Sequence, residues 1–514
     1  MVQVKQFLSK WGLHCFLLPL FFVLHNYLQY AEMVSVHAAT SVGLQLMIFV
    51  LVLFLLLRVL IANSSKAACI STVIVADYLF YGNVKQTLAA QKYFDLLARY
   101  VVLLPLFFLV TIIVCLFIVR IKNMLKVTFY LNLLVMLSIG ADISRLSLQF
   151  LKSKKYQSLF EKPVMLPVNA TPVQDLPDVY YLLLDSYPNC SLIKKHESRP
   201  SFALDTFLSA RNFYVVSHSI SNYNNTSFSM NATLNMQYLQ KFSNPLQGTF
   251  PQQYDLNAID YSKTLLDIDR SPLIPYLVSY RYTFYNLSIF SINGQMPIFK
   301  DFFLTVPQEK IFLYYTLGEC IRRDIAWNFS RFTGLPGNAA NVEMADEKAV
   351  NENKLFFNRR VLDSVAKIPF GVKKGPRFVY VHLYMPHYPY FFNEDGIKYG
   401  DSAIYNRNFL FDETKFLKYV VYTNHEISKL TDGLLKSTLG KAVIIIQSDH
   451  GYPGFAINNF SDYFKNLDAM YFPDKNYQLL YDSLSNVNTF RILLNKYFNA
   501  QLPLLKDSSI RLQH

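Results

Sequence analysis

The feature that most restricts this chain is the crowding of uncharged apolar runs into its first 145 residues. Residues 11–30 (WGLHCFLLPLFFVLHNYLQY) and 33–57, ending FVLVLFLLL before Arg58, contain no Lys, Arg, Asp or Glu. The run 100–119 is uncharged between Arg99 and Arg120, and 127–141 is uncharged between Lys126 and Asp142. A weaker run, 67–84, carries Asp77. A hydrocarbon core about 30 Å thick needs roughly 20 apolar residues in helical form. Three runs meet that length and 127–141 is short. One such run can be a buried core helix or a signal peptide. Several packed this closely predict a polytopic membrane domain of about five helices over residues 1–150.

Charge supports that reading. Only 17 % of the residues are charged, against the roughly 25 % usual for soluble domains. The excess of 49 Lys and Arg over 36 Asp and Glu, +13, suits an anionic partner. The apolar runs favour lipid headgroups over nucleic acid. No CxxC or Cys/His cluster of zinc-finger spacing occurs, so no nucleic-acid partner is expected. Cys190 and Cys320, outside the runs, can make at most one bridge. With five spans and a cytoplasmic N-terminus, Lys5, Lys10, Lys66, Arg120, Lys122 and Lys126 face the cytoplasm, as positive charge prefers. Lys85, Lys92, Arg99, Arg145, Lys152, Lys154 and Lys155 then lie on the far side, so charge bias alone does not orient the chain.

Residues 151–177, basic and then dotted with Pro, read as a linker, and a globular domain fills 178–514. Three short apolar runs there, VYYLLL (179–184), FVYVHLY (378–384) and AVIIIQ (442–447), have the unbroken character of buried parallel strands. Residues 411–439 carry Phe416, Val420, Ile427, Leu430 and Leu434 at helical spacing. The expected fold is an α/β/α domain with a mostly parallel central sheet, following the transmembrane helices. In such sheets ligands bind beyond the carboxyl ends of the strands. Those ends here carry Asp185, Pro386-His387 and Ser448-Asp449-His450-Gly451.

Two carboxylates and an imidazole form a mostly oxygen site suited to one divalent ion, Zn²⁺, Mn²⁺ or Mg²⁺. Each residue also has a plainer reading, since an Asp after a strand often caps the next helix. Thr226, after an Asn-rich loop and before a helix, offers a hydroxyl beside free helix N–H groups that bind anionic oxygens. It equally suits an N-cap, and Asn224-Asn-Thr226 is a glycosylation sequon. His387 follows a strand end and can protonate a leaving group or donate to an anionic oxygen. His382, inside its strand, reads as a core histidine, and His425 as a surface or packing residue.

Asp185, Asn222-Tyr-x-x-Thr226, Pro386-His387-x-Pro389-Tyr390 and Ser448-Asp449-His450-Gly451 occur in an order that resembles the sulfatase-like branch of the alkaline phosphatase superfamily. By layout the chain is most similar to its membrane-anchored bacterial phosphoglycerol and phosphoethanolamine transferases. Asn486-Val-Asn-Thr-Phe-Arg491 and Asn495-Lys-Tyr-Phe498 share that character. The resemblance implies that Asp185, Thr226, Asp449 and His450 hold the metal, with Thr226 as nucleophile. It also implies that His387, Asn222 and Tyr390 contact substrate. It further implies a multi-pass plasma-membrane enzyme whose catalytic domain lies on the periplasmic side. There it would move a phospho-alcohol headgroup from a phospholipid donor to a cell-envelope glycan or glycolipid. Two departures stand out: Asp185 replaces the transferases' usual Glu, and neither Cys190 nor Cys320 lies in the Cys-x-Pro-x-Arg motif that yields formylglycine in sulfatases. An ester hydrolase using the same site and a non-enzymatic membrane scaffold are the alternatives.

Overall fold

The computed structural model describes residues 7–30, 34–91, 93–152, 158–167, 175–196, 203–240, 253–255, 258–297, 307–325, 339–371, 375–405, 410–457 and 459–513. Lys154, Lys155 and parts of the expected linker lie outside these. The chain forms two compact units. The first joins residues 1–156 to 303–350, and the second joins 157–302 to 351–514.

The first unit is built on five apolar helices: α1 (His14–Tyr30), α2 (Val36–Ile61), α3 (Ser64–Ala89), α4 (Tyr100–Arg120) and α5 (Leu125–Lys152). Among the described residues, α2, α3, α4 and the part of α5 up to Ser147 are long and apolar enough to cross a membrane. Helix α1 has 17 residues, about 26 Å at 1.5 Å per residue, short of the hydrocarbon thickness. The short run 127–141 and the weak run 67–84 both extend into full spans. Helix α3 tolerates Asp77 and its polar residues because 56 % of its apolar stretch is buried among neighbours, against 11 % for α2 and α4. At its start, His14 of α1 meets Thr72 at 2.6 Å, and its backbone N–H donates to Asn132 of α5 at 2.6 Å. Polar groups thereby find partners inside the bundle, as a lipid surround demands.

Residues 303–350 group with these helices rather than with the globular domain to which chain order assigned them. The side-chain oxygen Oε1 of Gln308 accepts from the backbone N–H of Ser35, the N-cap of α2, at 2.7 Å. The Gly82 N–H donates to the Tyr315 carbonyl at 2.8 Å, and a side-chain carbon at 82 would lie only 2.5 Å from that oxygen. The glycine permits this close approach.

The second unit centres on a six-stranded sheet. Its strands are β1 (Val179–Asp185), β2 (Tyr214–Val215), β3 (Thr283–Leu287), β4 (Arg377–Pro386), β5 (Val443–Ser448) and β6 (Asp468–Tyr471). The order across the sheet is β2-β6-β5-β1-β4-β3. The four strands β5-β1-β4-β3 run parallel, and β6 and β2 add antiparallel pairs at one edge. Every residue of β1, β4 and β5 is buried, which explains their unbroken apolar character. Helices α6 (Thr226–Asn235), α7 (Ala339–Lys367, grouped with this unit from residue 351), α8 (Glu413–Ser437) and α9 (Thr489–Phe498) complete the elements that matter for the site.

Candidate metal and phosphoryl-transfer site

Strand register builds the site. Leu183 pairs with His382 of β4 and with Gln447 of β5. Paired residues in a parallel sheet share a face, and side chains repeat every two residues. Asp185, His382 and Asp449 therefore converge on one face at the carboxyl edge. Ligand atoms of Asp185, Asp449 and His450 all lie within 4.8 Å of one another, and all three residues are buried.

Local hydrogen bonds fix each group. Ser186, held at φ +61°, turns its N–H onto Asp449 Oδ1 at 2.9 Å, and the His450 N–H donates to the same oxygen at 2.9 Å. Among the described residues Asp449 Oδ2 has no hydrogen bond, and His450 Nε2 stands beside it at 3.2 Å. His450 Nδ1 donates to the Gly451 carbonyl at 2.9 Å, which leaves its Nε2 lone pair free to ligate. Ser448 is a pivot: its hydroxyl donates to the His450 carbonyl, and its own carbonyl accepts from the amides of Asn466 and Asn486. Asn486 belongs to the C-terminal motif, so that motif braces the strand end. Gly451 serves a role other than turn flexibility. A side-chain carbon there would lie 2.6 Å from the Lys465 carbonyl.

Thr226 is the first residue of α6, after the N-cap Asn225, whose side chain accepts from the Ser227 N–H. Its Oγ1 is 3.3 Å from His450 Nε2. The Ser229 hydroxyl, one turn on, donates to the Asp449 carbonyl at 2.6 Å and ties α6 to the strand end. Thr226 and His387 are half-buried, whereas Asp185, Asp449 and His450 are buried, so the first two are the groups a substrate can reach.

Charge in the cluster is divided unequally. Burial raises the Asp449 carboxyl, and the neighbouring Asp185 raises it further. Burial opposes ionisation of Asp185 too, but His387, His382 and His450 around it outweigh that and hold it low, at about 2. An orphaned carboxylate oxygen, an imidazole lone pair, a second carboxylate and a hydroxyl in one buried group fit a divalent ion that binds oxygen and nitrogen.

His382 is the residue sequence reasoning misplaced. It is fully buried, as expected of a core histidine, but its Nε2 lies 3.3 Å from Asp185 Oδ2. The signal was the two-residue period of the strands, usable only once their register is known. Two expectations need correction. The Asn222 amide donates to Tyr238 Oη and the Ser508 carbonyl, and its oxygen accepts from the Val487 N–H, so its side chain is committed to loop packing. Tyr390 is buried, and its hydroxyl donates to the Leu410 carbonyl at 2.7 Å. Neither is placed to bind substrate. The sequon asparagine Asn224 is likewise occupied, exchanging two hydrogen bonds with the Leu512 backbone. All five cysteines are free thiols, which excludes the possible bridge.

Comparison with known proteins follows from this geometry. The chain resembles the lipooligosaccharide phosphoethanolamine transferase A of Neisseria meningitidis, an integral membrane protein. The two share 13 % identity over 97 % of this chain and 96 % of that one, with a TM-score of 0.37. It also resembles the putative sulfatase yidJ of Bacteroides fragilis, at 12 % identity over 66 % and 78 % of the chains, TM-score 0.39. The phosphonate monoester hydrolase of Agrobacterium radiobacter matches at 12 % over 63 % and 74 %, TM-score 0.34. No curated protein sequence matches. The sulfatase family model matches residues 181–492, from within β1 to within α9 and well over half of the chain. The protein therefore belongs to the sulfatase family, among the enzymes of the alkaline phosphatase superfamily.

Proposed function

We propose that the protein is a membrane-anchored, metal-dependent transferase. It moves a phosphoethanolamine- or phosphoglycerol-type headgroup from a phospholipid to a cell-envelope glycan or glycolipid. The observation that carries this reading is the Thr226 hydroxyl at the head of α6, 3.3 Å from His450 Nε2 in the buried Asp185–Asp449–His450 cluster. A divalent cation held by Asp185, Thr226, Asp449 and His450 would acidify the hydroxyl and offset phosphate charge.

The chain's own groups supply the rest. Thr226 Oγ1 forms a bond to phosphorus as the bond to the lipid alcohol breaks. The half-reaction yields a headgroup phospho-threonine and the free lipid alcohol, which takes up the proton Thr226 loses. His387 Nδ1 donates to the Tyr388 carbonyl at 2.5 Å, so its Nε2 is left as an acceptor. Burial also pulls its pKa below the usual histidine value, despite the opposing pull of Asp185. A neutral His387 suits removal of the acceptor hydroxyl's proton in the second half better than protonation of the first leaving group. His382 steadies Asp185. The apolar helices keep this chemistry beside lipid donors, which raises their effective concentration. We place the domain on the extracytoplasmic face, where envelope glycans lie.

Formylglycine chemistry has no support. Neither Cys190 nor Cys320 lies in a Cys-x-Pro-x-Arg motif, and in this reading a threonine takes the nucleophile's role. Replacing Thr226 with Ala should lower headgroup release by roughly 10³-fold or more, with Thr226→Ser retaining much of it. A headgroup adduct on Thr226 in slow-turnover samples, read by mass spectrometry, is the expected intermediate. Full turnover by Thr226→Ala would overturn the proposal.

A further inference from the structure

A second enclosed space in the globular unit lies away from the carboxylate cluster. Helices α7 and α8 and the segment after β4 surround a cavity of about 290 Å³. Met385, Asn358 and Tyr419, all buried, form its depth. Met385 lies near the carboxyl end of β4, where the register against β1 shifts between Leu383 and Pro386. Phe392 and Tyr422 make one wall, with ring centroids 4.6 Å apart. Arg359 and Asp363 stand exposed at the mouth, with Glu426 half-buried between rim and depth.

The lining selects by chemistry. The packed rings of Phe392, Tyr422 and Tyr419 give the wall apolar carbon, which suits the C–H face of a pyranose ring. The acids and the guanidinium together offer acceptors and donors, which is what hydroxyls, each both donor and acceptor, require. Glu426 is already paired with Lys429 at 2.9 Å, so the charges nearly balance and favour neither a cation nor an anion. The volume is near the lower limit for ligand pockets, enough for a ring or two and not a long chain.

The cavity is joined to the reacting cluster by short links. The Asn358 amide donates to the Tyr384 carbonyl at 3.0 Å and accepts from the Tyr384 N–H at 2.7 Å. The Tyr384 ring packs on His387, centroids 4.4 Å apart. Met385 and Phe392 bracket the segment that carries His387. A ligand in the cavity would therefore pin the segment that presents His387.

We propose that this cavity binds a hydroxylated sugar ring and is a glycan subsite coupled to His387. Its role in recognising the acceptor rests on the transferase reading, whereas the binding itself does not. The test is saturation-transfer NMR on the full chain in lipid nanodiscs, with methyl β-D-glucopyranoside as probe and choline as ammonium control. Saturable transfer to the glucoside is expected. Tyr422→Ala, and independently the exposed substitution Asp363→Ala, should weaken it about tenfold (roughly one hydrogen bond or ring contact), with bound metal unchanged. Thr226→Ala should abolish turnover and leave glucoside binding intact. No transfer to the glucoside, transfer to choline alone, or equal binding by both cavity variants would overturn the subsite. Glucoside binding without Thr226-dependent transfer would overturn only the transferase reading.

Discussion

Two buried aspartates, one in each unit, are treated in opposite ways. Asp142 of α5 has a partner for each oxygen, His25 at 3.0 Å and Arg145 at 3.4 Å. Asp449 at the end of β5 keeps Oδ2 without any hydrogen bond. A carboxylate that only holds structure together is fully satisfied, because an unmatched buried oxygen costs about 1–3 kcal/mol. One that persists unmatched beside a second carboxylate and an imidazole suits a place where the fold awaits something from outside.

Breaking the functional member should have the largest effect. Asp449→Asn should remove bound metal and lower turnover by about 10³-fold or more, read by elemental analysis and headgroup release. The fold should survive, since the substitution also removes a desolvated charge.

A third buried acid limits the contrast: Asp468 also keeps Oδ1 without a hydrogen bond among the described residues, but it lies in no group of possible metal ligands there. Asp468 of β6 accepts from the Gln447 amide at 2.9 Å, and burial pushes its carboxyl up to about 7. A raised acid favours the folded state when protonated. Its contribution is therefore whole below the unfolded value near 4, declines as pH rises, and is gone above about 7. Asp468→Asn should flatten that decline, and unfolding midpoints from pH 4 to 8 would show it. An unchanged pH slope would mean that Asp468 is ionised in the fold.

His382→Gln should weaken metal affinity by about 10–100-fold while leaving Thr226 in place, because His382 sits against Asp185, a proposed ligand. Competition with a chelator measures it. Asp142→Ala should leave metal content and turnover alone and cost about 1–2 kcal/mol of stability in detergent, seen by thermal unfolding. Loss of metal in that variant would erase the distinction between the two aspartates.

Much of the catalytic sheet could be read from the chain. VYYLLL, FVYVHLY and AVIIIQ lie within or across the three central strands, because burial on both faces leaves a local apolar signature. Asp185, Asp449 and His450 followed from their places at strand ends, and Thr226 from its place before a helix. What escaped depended on partners distant in sequence. His382 gains its neighbour through strand register. Asn222 and Tyr390 are occupied by Val487 and Leu410, which no local pattern reveals. Residues 303–350 join the apolar helices through long-range packing, as where Phe312 enters their core and Gln308 bonds Ser35, and composition does not encode that.

The bond from the Ser229 hydroxyl to the Asp449 carbonyl has a thermal consequence. Because α6 and the strand end are tied together there, the Thr226 hydroxyl and the Asp449 segment should move as one on gentle warming. Heat inactivation should then track melting of the domain itself, with no temperature range in which the enzyme stays folded but idle.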